Sequence, residues 1–428
     1  MRLPVALVTL CIAASPARGQ ERLSGSWQGY WSRAGDSMFV TLNAQHDART
    51  GRYAATFAAD RLRVSGIPFN EVRLQGCCDV TMILRGDRTT AVFIGRLERD
   101  SLTGALQEST GDGRFAYSRT LPAAPPFEER DVTFASGPVT LAGTLLLPRT
   151  GNSLPAVVFL HGSGAEGRWA SRYLAAQLAN RGIAALIFDK RGVGSSTGDW
   201  RLATLEDLAA DGAAAVARLG RELRIDPRRI GLHGHSQGGT LAPLVAARSS
   251  SVAFVIGSAA AGLPTDSTEL FSILNSVYPG ASSAEDSANA NAYVNELVAV
   301  AYHGRPRARL DSLATALRNR PWFFAPPPPD NAYWFFSPMF ARYRALEWWS
   351  RVRVPVLLIY GADDQRVPAA QSAERIAAAL RSAGNGDVTV QIHPRADHTF
   401  RLPPGPSGWP VSAPDYLSGL LDWLAKRR

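Results

Sequence analysis

Ile230-Gly231-Leu232-His233-Gly234-His235-Ser236-Gln237-Gly238-Gly239 is the stretch on which the reading of the fold turns. An apolar run leads into Gly-His-Ser-Gln-Gly, and the apolar, alanine-containing segment Gly239 to Ala247 follows at once, so a strand gives way to a helix with one serine between them. A serine on so tight a turn needs unusual backbone dihedrals, and small flanking residues let the chain turn without collision. The turn also leaves the Ser236 hydroxyl at a helix N-terminus, where backbone N–H groups and the positive dipole end favour developing negative charge.

The same alternation extends in both directions. Strands are expected at Leu141 to Leu147, Ala156 to Leu160, Ala184 to Phe188, Ile230 to His233, Ala253 to Ile256, Pro355 to Tyr360 and Val388 to Ile392. Helices are expected around Tyr173 to Ala179, Leu205 to Leu219, Gly239 to Ala247, Ala370 to Leu380 and Tyr416 to Ala425. This order predicts a mostly parallel α/β sheet with helices on both faces over residues 127–428. Residues 262–349 break the rhythm with polar helical sequence and the aromatics Trp322, Phe323, Phe324, Tyr333, Trp334, Phe335 and Phe336, and read as an inserted cap. Those rings either fasten the insertion to the core or line an apolar substrate pocket.

Residues 20–121 differ in character. Short alternating runs at Met38 to Leu42, Tyr53 to Phe57, Val80 to Leu84, Thr90 to Ile94 and Arg114 to Tyr117 are separated by turn clusters, which predicts a small antiparallel β sandwich or barrel. The opening Gly25-Ser26-Trp27-Gln28-Gly29-Tyr30-Trp31 resembles the start of lipocalin-like barrels. Residues 122–126, Pro-Ala-Ala-Pro-Pro, read as a stiff linker because proline fixes φ and removes backbone donors.

A serine hydroxyl is a poor nucleophile at neutral pH and needs a histidine to take its proton and an acid to orient that histidine. Downstream of Ser236, Leu357 to Tyr360 runs into Gly361-Ala362-Asp363-Asp364-Gln365-Arg366-Val367-Pro368, which supplies two acids, and Arg395-Ala396-Asp397-His398-Thr399-Phe400 supplies a histidine after the last strand. His393 is the main rival, but its strand position and its neighbour Pro394 favour a structural role. His233 and His235 read as packing or pocket-wall residues, and nothing around His46 or His303 suggests chemistry.

With these motifs in this order, residues 127–428 resemble the α/β-hydrolase family, and within it the esterases and the prolyl-oligopeptidase-like and proline-iminopeptidase-like serine hydrolases. The resemblance implies a Ser236–His398–Asp364 triad. In relatives the acid falls three residues after the strand-end glycine and three before a Val-Pro, which selects Asp364 over Asp363. His161-Gly162-Ser163-Gly164 resembles the family's oxyanion loop, so the backbone N–H groups of Ser163 and Gln237 are the expected oxyanion donors. Asp189-Lys190-Arg191-Gly192-Val193-Gly194-Ser195-Ser196 resembles a loop near the same edge and reads as structural.

The expected function is therefore a serine hydrolase cleaving carboxylic esters through an acyl-enzyme, acting on a small-molecule ester or acyl substrate with no cofactor and no metal. A peptidase or amidase is the second reading, since the same triad cleaves amides. A non-catalytic binding protein on the hydrolase fold is the third. Gly162, Gly164 and Gly167 spell G-x-G-x-x-G before Asp189, but a nicotinamide site explains none of Ser236, Asp364 or His398. The glycine-rich Asp189 loop lacks the Gly-Lys-Ser/Thr of a phosphate cradle, and no H-E-x-x-H or Cys/His cluster suggests a metal.

Composition narrows the partners. The 428 residues carry 46 Lys+Arg against 37 Asp+Glu, but the positive charge is arginine spread along the chain, with Lys190 and Lys426 the only lysines. Nucleic-acid binding would want that charge concentrated, so it is not expected. Residues 1–19 have the layout of a secretory signal peptide, with Arg2, an apolar run from Leu3 to Ala14 and a small-residue exit at Ala17-Arg18-Gly19. Export to a periplasmic or extracellular location follows as the expectation. The run is shorter than the roughly 20 apolar residues a membrane helix needs, so no stable membrane insertion is expected after cleavage. The adjacent Cys77 and Cys78 read as two buried thiols in preference to a vicinal disulfide, and Cys11 as unlipidated. The oligomeric state is left open.

Overall fold

The structure is a computed structural model and describes residues 22–86, 89–121 and 124–427. The residues read as an export leader, and Pro122 and Ala123 of the expected linker, lie outside the described residues. Contacts divide the chain into two units, Met1–Ala123 with Pro404–Trp409, and Ala124–Pro403 with Pro410–Arg428.

The first unit is one nine-stranded antiparallel sheet, ordered β4-β3-β2-β1-β9-β8-β7-β6-β5. Its strands are β1 (Gly25–Arg33), β2 (Asp36–Asp47), β3 (Arg52–Ala59), β4 (Val64–Pro68), β5 (Glu71–Gln75), β6 (Asp79–Arg85), β7 (Thr90–Glu98), β8 (Ser101–Glu108) and β9 (Gly113–Thr120). Side chains alternate across such a strand, so Met38, Val40, Leu42 and Ala44 of β2 all point into the core with Trp27, Trp31 and Phe93. The sheet curls until its two edges meet. The Phe69 N–H donates to Ala55 of β3 and the Asn70 N–H to Ile83 of β6, so one short passage bridges both edges. Of the two expected forms, this is the barrel and not the sandwich.

Two expectations are corrected here. Cys77 and Cys78 are joined to each other by a disulfide in the turn between β5 and β6. They are not buried thiols: Cys77 is exposed, because the turn carries both side chains away from the barrel core. Nor does the hydrolase domain run unbroken over 127–428. Pro404–Trp409 belongs to the barrel unit, where Trp409 is buried in the core and the Arg33 guanidinium lies 5.0 Å over its ring. Ser407 donates a 2.7 Å hydrogen bond to Asp36, and Arg61 with Ser407 holds the Asp36 carboxyl well below the usual carboxylate range.

The second unit is built on an eight-stranded sheet, ordered β10-β11-β13-β12-β14-β15-β16-β17. It comprises β10 (Phe127–Ser136), β11 (Val139–Pro148), β12 (Leu154–Leu160), β13 (Ala184–Phe188), β14 (Ile225–His235), β15 (Val252–Ser258), β16 (Val356–Gly361) and β17 (Val388–His393). β11 runs antiparallel to both its neighbours, β10 and β13, and the six strands from β12 to β17 run parallel to one another. Both faces are covered, so the central strands are continuous apolar runs, and every residue of β13 is buried. Ala156, Val158 and Leu160 of β12 face helices Leu205–Leu219, Gln237–Arg248 and Ala369–Ser382, while Val157 and Phe159 face helices Trp169–Ala179 and Pro414–Ala425. Helix Leu205–Leu219 begins at a capping box, in which Thr204 and Asp207 each satisfy the other's backbone N–H.

The insertion between β15 and β16 holds helices Thr265–Val277, Ala284–His303, Ala308–Leu317, Ala332–Arg342 and Ala345–Trp349. It has a core of its own around Tyr293, Val294, Leu297 and Trp322. Its aromatics divide between the two expected roles. Trp322, Phe323 and Phe324 pack on Tyr293, whereas Tyr333, Phe336 and Phe340 line a cavity.

Candidate active site

In a parallel sheet, ligands gather beyond the C-terminal strand ends, where neighbouring connections leave in opposite directions. Here the chain leaves β12 for β13 on one side and later returns to β14 on the other. The loop after β12 carries Ser163, the turn after β14 carries Ser236, the turn after β16 carries Asp364, and the turn after β17 carries His398.

Ser236 sits between β14 and its helix with φ 55° and ψ −116°, a left-handed conformation that costs a non-glycine residue on the order of 1–3 kcal/mol. The surroundings enforce it. The Ser236 N–H donates to the Ser258 carbonyl at 2.9 Å, and the Thr240 N–H returns to the Ser236 carbonyl at 3.0 Å. A Cβ at Gly234 would collide with the Gly238 carbonyl, and one at Gly238 with the carbonyls of Leu160 and His161. The two glycines therefore let β14, the helix start and the end of β12 close on one another. The Ser236 side chain does not cap its helix, and it opens onto the cavity.

Asp364 and His398 are joined. Asp364 Oδ2 accepts from His398 Nδ1 at 2.7 Å, and Oδ1 accepts from the N–H groups of Arg366 at 2.7 Å and Val367 at 2.9 Å. The Asp364 side chain is fully buried, whereas Asp363 is exposed. Gly361 allows this approach, because a Cβ there would strike the Ala396 and Asp397 carbonyls. Asp397 braces the histidine turn by accepting from the N–H groups of Thr399 and Arg401, each at 2.8 Å. His235 ties this turn to the serine turn: its Nε2 donates to the His398 carbonyl at 2.9 Å, and the two rings lie 4.9 Å apart. The link between the two turns runs through His235, as no hydrogen bond joins Ser236 Oγ to His398. Such contacts are often long in unliganded enzymes and tighten in the substrate complex.

The remaining histidines have other occupations. His233 bonds the Ser258 hydroxyl, and burial pushes its pKa down to about 3. His393 is buried against Phe400 and Tyr416. His46 packs at a tilt against Tyr53, and His303 pairs with Asp266.

Ser163 and Gln237 line the same cavity as Ser236, and among the described residues their backbone N–H groups carry no hydrogen bond. That leaves two unpaired backbone donors on the cavity that Ser236 also lines. The loop holding the first is fixed on its flanks. His161 Nε2 bonds the Phe188 carbonyl, and desolvation pulls its pKa down to about 4, so it serves as a neutral donor. The Gly162 N–H donates to Glu166 Oε2 at 2.7 Å. Lys190, which the sequence reading left inside a structural loop, donates to this same segment. Asp189 is occupied by Arg168 and the Ser195 N–H, which leaves no free acid for a ribose. Among the described residues no group of His, Cys, Asp or Glu is arranged to hold a metal ion, and no helix is long and apolar enough to cross a membrane.

The cavity has a volume of about 400 Å³. Its walls are mostly apolar, with Leu205, Leu208 and Leu241 from the sheet framework and Leu263, Phe336 and Phe340 from the insertion. One carboxyl, Glu269, also faces it, and desolvation raises its pKa.

Residues 151–402 match the family model described as serine aminopeptidase, S33. The chain belongs to this hydrolase family. Among curated relatives, a quorum-quenching protein, AidA, of Acinetobacter baumannii is 34% identical over 29% of this chain and 42% of its own length. Esterase EstD of Thermotoga maritima is 31% identical over 29% of this chain and 30% of its own. The matched stretches thus span less than half of those relatives. Among solved structures, a Pyrococcus furiosus esterase covers 72% of this chain and 93% of its own at 19% identity and a TM-score of 0.43. A hypothetical protein of Pseudomonas aeruginosa covers 65% and 89% at 24% identity and a TM-score of 0.42.

Proposed function

We propose that this chain is an exported serine hydrolase that cleaves carboxylic esters through an acyl-enzyme on Ser236. The observation that carries the reading is a strained serine and two unpaired backbone donors on one cavity, together with a buried Asp364 bonded to the half-buried His398. With Nδ1 bonded to Asp364, His398 has Nε2 left to take the proton as Ser236 Oγ attacks the carbonyl carbon. The tetrahedral oxyanion falls to the N–H groups of Ser163 and Gln237, each donor being worth roughly 3–4 kcal/mol in the transition state. The C–O bond then breaks, and His398 returns the proton to the leaving alcohol. Water, deprotonated by the same imidazole, releases the acid and restores Ser236.

Apolar walls suit an acyl chain or an aromatic alcohol better than a charged peptide. A second reading, hydrolysis of amides with a free amino group, draws on one specific feature. Glu269 is a desolvated carboxyl on the cavity wall that forms no salt bridge among the described residues, with Arg366 acting on it only at longer range, and is suited to an ammonium group. A panel of p-nitrophenyl esters against aminoacyl anilides separates the two. Ester turnover that Ser236→Ala abolishes supports the first reading, and anilide turnover that Glu269→Gln selectively weakens would replace it with the second. Export rests on residues 1–19 and is tested by fractionating cells that express the chain with and without them.

A further inference from the structure

Lys190 is one of two lysines in the chain, it is almost wholly buried, and among the described residues it forms no salt bridge, Glu166 and Asp211 acting on it only at longer range. All three hydrogen bonds of its Nζ go to neutral oxygens: the Gly162 carbonyl at 2.8 Å, the Gly164 carbonyl at 3.0 Å and Gln237 Oε1 at 3.0 Å. The first two acceptors flank Ser163, and the third belongs to the residue whose N–H is the other unpaired donor. A trans peptide unit points its C=O and its N–H in opposite directions. Binding the Gly162 carbonyl to Lys190 therefore turns the Ser163 N–H, which shares that peptide unit, away from the lysine. From the other flank, Glu166 fixes the Gly162 N–H.

We propose that Lys190 is the positioning residue of the oxyanion site: its ammonium ties the Gly162–Gly164 loop to Gln237 and so sets the direction and spacing of the two N–H donors. The inference rests on the ester-hydrolase reading, in which those donors receive the oxyanion. A lysine with only a packing role would be expected to share its charge with a carboxylate. Here the nearest acids are otherwise engaged, Asp211 with Arg191 and Glu166 with the Gly162 N–H.

Protonation matters because three acceptors need three N–H bonds, and a neutral amine has two. Burial lowers the pKa of Lys190 to about 8, opposed by Glu166 and Asp211. The other groups facing it are His161, itself pushed toward neutrality, and the Trp200 ring at 5.5 Å. Below about pH 8 all three bonds are present. As the pH rises through that value one is lost, and the loop or Gln237 is released.

The test compares wild type, Lys190→Met and Lys190→Arg on p-nitrophenyl butyrate, with phenylboronic acid as the tetrahedral probe. Lys190→Met is expected to lower kcat by on the order of 10²-fold, as for loss of one oxyanion donor, with KM changed less than about threefold and boronate affinity falling in step with kcat. Lys190→Arg is expected to restore part of kcat and to abolish the alkaline fall near pH 8. A merely structural lysine would lower melting temperature and active fraction while leaving kcat per active site and boronate affinity unchanged, and that result overturns the proposal. Should Lys190→Met fail to fold, the wild-type profile decides: kcat falling through about pH 8 at constant KM supports the proposal, and a flat profile to pH 10 overturns it. Fluorophosphonate labelling of wild type keeps the two readings apart. Labelled enzyme with an unimpaired Lys190→Met variant removes this inference alone, whereas absence of labelling removes the hydrolase reading and this inference with it.

Discussion

The rim of the sheet and the insertion above it hold their side chains in different ways. At the rim, backbone geometry does the positioning: Ser236 is strained, Gly234, Gly238 and Gly361 allow approaches no side chain would permit, and Asp364 and Asp397 bond backbone N–H groups two to four residues away. In the insertion, side-chain packing does it, around Tyr293 and Trp322, and the cavity wall is whatever that packing leaves facing inward. A rim of this kind tolerates little change and fixes the reaction. A packed wall can be resurfaced residue by residue, so it is where substrate preference is set.

The largest effect expected on that contrast is at the rim. Ser236→Ala should lower kcat for p-nitrophenyl butyrate by on the order of 10⁵-fold or more, leaving only binding and oxyanion stabilisation. Asp364→Asn should cost on the order of 10⁴-fold by disturbing the tautomer and orientation of His398, whereas Asp363→Asn, at an exposed neighbour, should change kcat less than about threefold. Equal effects at the two aspartates would break the assignment. Lys190→Met falls below these, at on the order of 10²-fold. In the insertion, Phe336→Ala should alter the ratio of kcat/KM for octanoate and acetate esters by about tenfold, in line with roughly 1–3 kcal/mol per altered apolar contact. Phe336 stacks on Trp200 at 6.1 Å and, among the described residues, makes no bond to Ser236, Asp364 or His398, so its loss opens the cavity wall. A larger fall for acetate than for octanoate would show that the insertion also shapes the rim.

The same contrast explains what could be read from the sequence. Rim residues are constrained locally, by strand, turn and glycine in fixed order, so Ser236, Asp364 and His398 were identifiable from short motifs. β13 and helix Leu205–Leu219 were legible end to end because burial on a sheet leaves an unbroken apolar run and a capped, amphipathic helix leaves a clear period. β10 was missed because Phe127 to Ser136 carries four charged residues on a partly exposed edge strand. β1, β4 and β8 were passed over because glycine and polar residues interrupt their alternation, and β5 because its alternation, Glu71 to Gln75, is only five residues long. Trp409 in the barrel core and the bonds of Lys190 to Gly162 and Gln237 depend on contacts across hundreds of residues and across 28 or 47 residues, respectively, and no local pattern announces either. The one available signal for Lys190 was its rarity, a lone lysine in a chain that otherwise uses arginine up to its last residues.

The central claim is that Ser236 is an activated nucleophile, and intact-mass analysis after exposure to a small fluorophosphonate tests it most directly. The account predicts a single phosphonyl adduct on wild type, none on Ser236→Ala, and greatly slowed labelling of His398→Gln. Folded wild-type protein that stays unmodified, or an adduct that persists in Ser236→Ala, would contradict it.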